Sequence, residues 1–407
     1  MKPKSRILIF SLVYYPRFIG GAEVTIKEVT DRIPVSDIEF DMVTLRLDST
    51  LPKFERVGNV NVHRVGWAMN HKASPDSLPW YLGLNKYAFL VTGLVKALML
   101  HKKNKYHATW SLMVTYNSFA AVFFKLIHKK VPFILTLQDG DPIAYITRRA
   151  MPLYPFFKMM FTRANYIQAI SKYLAVWASD MGATCPIKVV PNAVDVALFS
   201  RVIDERIKKD LSQKYGKKDG DVFLVTTSRL VVKNAVGDII EALALLPKNY
   251  KLLILGQGYQ ETELKQQALR LGLNYTDEPP VNVGNRVHFV GYVAHKDMPP
   301  YLSISDIFIR PSLSEGLGNS FLEAMAASIP VIATPVGGIP DFLKEGETGL
   351  FCEVGKPRSI ALKVEKLSKD AESRSYIVRQ AKKMVEERYE WGRIAGEMKT
   401  IFESVVN

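Results

Sequence analysis

The chain has 407 residues, 48% hydrophobic and 23% charged, which is too long for one ordinary core and too apolar for a disordered chain. Its net charge of +14 is unevenly spread: residues 1–200 hold 25 Lys/Arg against 13 Asp/Glu, residues 201–407 hold 29 against 27. The basic first half suits an anionic partner (nucleic acid, a phospholipid surface or a charged substrate) and equally suits plain solubility.

The stretch KPKSRILIFSLVYYPRF has the basic start and apolar centre of a signal peptide. Arg17 follows at once without a small-x-small cleavage site, so a buried first strand explains it better. Further strands are predicted at 40–47, 60–67, 107–111, 133–137, 166–171 and 187–192, with helices at 22–33, 84–101 and 115–128. The apolar stretch 88–100 is interrupted by Lys96 and falls short of the ~18 residues a membrane span needs, so no transmembrane helix is expected. Cys185 and Cys352 are too few and too distant for a disulfide framework and read as reduced thiols of a cytoplasmic protein.

A charged segment with Gly216 and Gly220 precedes a second series of strands at 222–228, 251–256, 286–291, 306–312, 330–335 and 349–354. Runs that are apolar on both faces and spaced by helices predict parallel sheets covered on both sides. Two doubly wound, Rossmann-like α/β domains follow, 1–199 and 200–389, facing each other across a cleft. Ligands are then expected at the carboxyl ends of the strands, in the loops that follow them.

The strand 306–312 runs into LSEGLGNSFLEAMAAS. Gly316 and Gly318 argue for a loop, with a helix starting near Asn319. The amides at 318–320 would then form an anion site suited to phosphate. Glu315 precedes that site, and Glu323, one turn into the helix, can accept two hydrogen bonds from a vicinal diol. The same residues also suit an ordinary strand–turn–helix connection with a glutamate favouring the helix dipole.

Arg229 and Lys233 follow the first strand of the second domain, where two cations suit a diphosphate or simply meet solvent. Gly20 and Gly21 sit at the first strand–helix turn, open to an anion or merely tight. LGQG (255–258) lacks the third glycine of a dinucleotide fingerprint. Asp139 and Asp141, in LTLQDGDP, have the spacing of a D-x-D metal clamp. Tyr145 to Tyr166 interleaves Arg148, Arg149, Lys158 and Arg163 with aromatics and suits either an anionic bilayer or a buried helix with basic flanks.

EGLGNSFLEAMA (315–326), PVIATPVGGIPD (330–341) and GETGL (346–350) together resemble the E-x7-E signature of family 4 glycosyltransferases, retaining enzymes of the GT-B fold. Matches at GGAE (20–23), ISKYL (170–174), VPNAVD (190–195), SRLVVKN (228–234), VGYV (290–293) and YEW (389–391) extend the resemblance over nearly the whole chain.

The resemblance implies transfer of a hexose-type sugar from a UDP- or GDP-linked donor to an acceptor hydroxyl, in glycolipid, cell-surface polysaccharide or glycan assembly. No metal and no cofactor beyond the nucleotide sugar is implied, and the D-x-D is then redundant as a metal clamp. Arg229 and Lys233 would bind the donor pyrophosphate, and Gly20 and Gly21 would lie against its phosphates. Gly256 would line the donor site, the backbone groups near Tyr292 and Val293 would help hold the base, and Gly316, Leu317, Gly318, Asn319 and Ser320 would form the phosphate loop. Glu315 would orient the transferred sugar and Glu323 the ribose. Gln138 stands where many relatives carry a histidine that touches the sugar; it can position but cannot titrate near neutrality. Asp139 is the candidate base on the acceptor, or the cap of a turn. The final helix, 390–407, would return to the first domain.

A lipid-linked or glycan acceptor uses the basic half best, with the enzyme cytoplasmic and able to sit on the inner membrane face. Nucleic-acid motifs are absent from the sequence. A sugar-nucleotide epimerase or phosphorylase of the same fold is the nearer alternative.

Overall fold

The computed structural model describes residues 4–68, 80–277 and 284–406. Two compact units form, Met1–Asn192 with Trp391–Asn407, and Ala193–Glu390.

The first unit is built on β1 (Ser5–Phe10), β2 (Ile38–Leu45), β3 (Phe54–Val57), β4 (Val60–Val65), β5 (Ala108–Leu112), β6 (Phe133–Leu137), β7 (Tyr166–Ala169) and β8 (Ile187–Val189). Their spatial order is β3-β4-β2-β1-β5-β6-β7-β8, parallel throughout except β3 with β4. Every residue of β5 and β6 is buried, as expected of strands covered on both faces. The order reverses between β1 and β5, which is where an open α/β sheet offers a ligand site at its carboxyl edge.

β3 has no counterpart among the predicted strands, because its half-exposed alternation lacks a two-sided apolar run. It is folded back on β4 by Gly58, at φ +57°, where an added Cβ would lie 2.0 Å from Asp31 Oδ1.

The helix Trp80–Asn104 covers this sheet with Asn85, Phe89, Ala97 and Leu100 buried. It is longer than the apolar stretch read from the sequence: Gly83–Asn104 is 22 residues with a mean hydropathy of 1.2, sufficient in length and composition to cross a bilayer. Its packing against β2, β4 and the helix Tyr116–Ile127 makes it part of the sheet's covering layer. The segment 145–166 divides into two helices: Ile143–Ala150 buries no residue, whereas Tyr154–Thr162 buries Phe157, Met160 and Phe161.

The last helix, Trp391–Val406, belongs to the first unit. Trp391, Ile394, Ala395, Met398, Ile401 and Phe402 recur at three- and four-residue spacing and are buried. Phe402 meets Phe40 at 5.7 Å and Trp110 at 5.0 Å between ring centroids.

The second unit contains β9 (Val222–Thr227), β10 (Tyr250–Leu255), β11 (Tyr275–Thr276), β12 (Val287–Gly291), β13 (Ile307–Arg310), β14 (Val331–Ala333) and β15 (Leu350–Phe351). They form one parallel sheet in the order β11-β12-β10-β9-β13-β14-β15, with its switch point between β9 and β13. The units divide at 192/193 rather than at 199/200. Val194 donates to the Tyr389 carbonyl at 2.9 Å and bridges Glu390, which ties 193–199 to the second unit.

His288 lies on β12, fully buried against Tyr215 and Phe223, and neither ring nitrogen has a hydrogen-bond partner among the described residues. Burial, assisted by the nearby Lys251 ammonium, pushes its pKa down to about 4. The unfolded chain therefore binds a proton near pH 6.5 that the folded chain refuses until about pH 4, so stability falls as pH drops through this window. The His288→Phe variant should lose this slope, worth on the order of 3 kcal/mol across the window. Urea unfolding of both proteins at pH 7 and pH 5 measures it; equal pH slopes would refute the assignment.

Candidate functional site

In the second unit the site is organised around Arg310, the last residue of β13. Its Nη2 donates to Glu315 Oε2 at 2.6 Å and to Asn234 Oδ1 at 3.0 Å, and its Nη1 donates to Ser320 Oγ at 2.8 Å. The guanidinium lies 5.4 Å over the Phe321 ring. Asn234 Nδ2 in turn donates to the Arg229 carbonyl at 2.7 Å, and the Leu313 amide to the Lys233 carbonyl at 2.7 Å. One buried cation thus fixes the loop after β9, which carries Arg229 and Lys233, to the loop and helix after β13.

Glu315 is held on both oxygens, Oε2 by Arg310 and Oε1 by the Gly316 amide at 3.1 Å. Its backbone is braced from β14: the Gly338 amide donates to the Glu315 carbonyl at 3.1 Å. Gly337, at φ +56°, packs so closely that an added Cβ would lie 1.8 Å from that carbonyl oxygen. The helix Asn319–Ala326 starts after Gly318 with no side-chain cap among the described residues; the Phe321 amide bonds the Gly318 carbonyl at 3.2 Å, which leaves the Asn319 and Ser320 amides at the helix start. Glu323, buried on this helix, meets His295 Nε2 at 3.0 Å, and the His295 ring rests 5.0 Å from Phe199.

Gly256 joins the neighbouring strands. Its amide donates to the Gly291 carbonyl at 2.8 Å, and an added Cβ would lie 1.8 Å from the Ser228 carbonyl oxygen. Tyr292 is exposed beside it and Val293 is buried. The carboxyl edge of β9, β10, β12 and β13 therefore collects Arg229, Lys233, Gly256, Tyr292, Val293, Glu315 to Ser320 and Glu323.

The first unit gathers Gly20, Gly21 and Gln138 through Thr25. Thr25 Oγ1 accepts from Gln138 Nε2 at 3.1 Å, and lies 2.9 Å from the Gly21 carbonyl oxygen and 3.0 Å from Asn192 Oδ1. Gln138 Oε1 is buried without a hydrogen-bond partner among the described residues. Glu23 accepts the Gly20 amide at 2.8 Å, and burial pushes its pKa up to about 7. Asp139 is buried beside the loop after β5, where Oδ2 takes the Val114 amide at 3.4 Å. Among the described residues no three His, Cys, Asp or Glu side chains converge as a metal cluster.

Arg310, Asn234, His295, Glu23, Thr25 and Asn192 were not singled out from the sequence. Arg310 carries a sequence signal as the charge that ends an otherwise apolar strand, IFIR, and Glu23, Asn192 and Asn234 lie within the matched stretches GGAE, VPNAVD and SRLVVKN. Thr25 and His295 are recognisable only by their contacts.

Comparison with known proteins assigns the class. A Glycosyltransferase Family 4 model matches residues 19–198 and a Glycosyl transferases group 1 model residues 207–384. The chain is a glycosyltransferase of the GT-B fold. More narrowly, it belongs to family 4. A glycosyltransferase of Methanocaldococcus jannaschii is 25% identical over 98% of this chain and 97% of its own. LpsE, a lipopolysaccharide core biosynthesis glycosyltransferase of Rhizobium meliloti, is 29% identical over 60% of this chain and 70% of its own. The solved structure of Anabaena HepE in complex with UDP-glucose superposes with a TM-score of 0.77 at 19% identity, over 98% of this chain and 99% of that one.

Replacing one partner of the Arg310–Glu315 pair leaves a buried charge alone, so Arg310→Ala should cost about 3–5 kcal/mol of stability. In a double-mutant cycle with Glu315→Ala the losses should be sub-additive by more than about 1 kcal/mol. Urea unfolding of the four proteins gives the coupling; strictly additive losses would exclude it.

Proposed function

We propose that the enzyme transfers a hexose-type sugar, with retained configuration, from a UDP- or GDP-linked donor to an acceptor hydroxyl in glycolipid, cell-surface polysaccharide or glycan assembly. The observation that carries the reading is Glu315: a carboxylate held on both oxygens beside a helix start whose amides suit phosphate. The UDP-glucose held by HepE supports the donor class, and the lipopolysaccharide role of LpsE supports a lipid-linked or glycan acceptor.

In this mechanism Arg229, Lys233 and the amides of Gly318, Asn319 and Ser320 take the charge that grows on the departing diphosphate. Glu315 orients the transferred sugar and Glu323 the ribose, while Gly256 lines the donor site and the backbone near Tyr292 and Val293 borders the base. Gly20 and Gly21 lie against the phosphates and the acceptor. Gln138, whose amide nitrogen is occupied by Thr25, keeps its buried oxygen for a sugar hydroxyl. The bond from the anomeric carbon to the diphosphate breaks as the acceptor oxygen approaches the same face through an oxocarbenium-like transition state. The acceptor proton passes to the leaving phosphate oxygen. Catalysis is then positioning and charge stabilisation, with no enzyme nucleophile. Asp139 Oδ2 takes the Val114 amide, which supports the loop-holding alternative for this residue.

The test is hydrolysis of UDP-, GDP- and ADP-sugars by the wild type, Glu315→Ala and Arg229→Ala. The wild type should turn over a UDP- or GDP-sugar, with each variant slower by about 10²-fold or more. Turnover of none, or variants equal to the wild type, would overturn the reading.

A further inference from the structure

The helix Trp80–Asn104 presents one row of apolar residues to solvent. Its exposed positions between 83 and 99 are Leu84, Tyr87, Val91, Val95 and Met99, at 46–64% exposure. At 100° per residue these five fall within one third of the helix circumference, forming a stripe opposite the buried Phe89 and Leu100. Tyr87 to Met99 spans about 18 Å along the axis. A water-facing helix surface normally carries charge, so a continuous apolar stripe marks an interaction surface.

The chemistry at the start of the stripe identifies what it meets. Tyr87 packs against Tyr116 at 4.9 Å between ring centroids. The Arg149 guanidinium lies 5.5 Å over the Tyr145 ring, with Tyr116 beside it. Tyr116 opens the helix after β5, and Tyr145 and Arg149 lie on the helix after β6. The helix Trp80–Asn104 enters β5 from its C-terminal end, so the Leu84–Tyr87 end lies toward the carboxyl edge of the sheet, the edge that holds Gln138 and Gly21.

A planar cation framed by phenols at one end, and an uncharged stripe leading away from it, match an anionic head with a long apolar tail. We propose that Arg149, Tyr116 and Tyr145 hold the phosphate of a lipid-linked acceptor whose chain lies along Leu84, Tyr87, Val91, Val95 and Met99. The acceptor sugar is thereby delivered to the edge occupied by Gln138. Lys102 and Lys103, in the helix's last turn, add positive charge at the far end, which suits an anionic bilayer surface. The inference rests on the acceptor-side role of the first unit, but it is tested without any donor, so failed sugar transfer would leave it standing.

Calorimetric titration of the full chain with farnesyl phosphate, farnesol and inorganic phosphate separates head from tail. Farnesyl phosphate should bind at least about tenfold more tightly than either fragment. Arg149→Ala should reduce it to the affinity of farnesol, and the Val91→Glu/Val95→Glu double variant to that of inorganic phosphate. Both sets of substitutions fall at exposed positions, and circular dichroism checks that the fold survives. Inorganic phosphate binding as tightly as farnesyl phosphate would show a free-phosphate site and overturn the proposal. So would either variant binding farnesyl phosphate like the wild type. A shift of the double variant from dimer to monomer with lipid binding intact would assign the stripe to a second copy of this chain.

Discussion

Arg310 carries a full charge at the end of a buried parallel strand, and the second unit's loops are arranged around its two terminal nitrogens. Glu315, Ser320 and Asn234 receive its nitrogens, and through Asn234 the Arg229 carbonyl is held as well. A buried cation without these partners would cost several kcal/mol, so the partners are constrained in position by the same energy. This gives a floppy residue type, a glutamate in a glycine loop, a fixed aim. The glycines contribute by absence: Gly337 and Gly256 let one backbone approach another where any Cβ would collide.

The first unit uses a neutral version of the same device. Thr25 joins the Gly20–Gly21 turn to Gln138 and Asn192, three segments far apart in sequence. Hydrogen bonds between neutral groups bind these loops less rigidly than a charged hub does. That difference suits the proposed division of labour, in which the second unit holds a nucleotide diphosphate and the first accommodates an acceptor. The outward apolar stripe of the helix Trp80–Asn104 belongs to the same unit, and its cost in exposed surface is explained if an amphiphilic acceptor covers it.

Much of this was legible in the chain. Two-sided apolar runs gave the core strands of both sheets to within a few residues, because burial on both faces leaves little choice of side chain. The helix after β13 begins at Asn319, where the glycines of EGLGNS argue that it should. The D-x-D spacing was less informative. Two aspartates in a loop look alike whether they face a cation or an amide, and Asp139 faces the Val114 amide. β3 escaped notice because a half-exposed edge strand needs no apolar pattern.

The sequence by itself determined the class of fold, the family and the loops in which the chemistry lies, since these depend on local periodicity and on residues close together in the chain. Only the tertiary structure decided which side chains act on one another. Arg310 with Asn234, Thr25 with Gln138, His295 with Glu323, and Tyr87 with Tyr116 and Arg149 are pairings across intervals that no spacing rule spans. The physical reason is that parallel strands connected by helices bring loops together at one edge of the sheet, so neighbours in the site come from distant parts of the chain. The direction of the stripe on Trp80–Asn104 was decided in the same way: periodicity shows that a helix has an apolar face, and only packing shows which face is left uncovered.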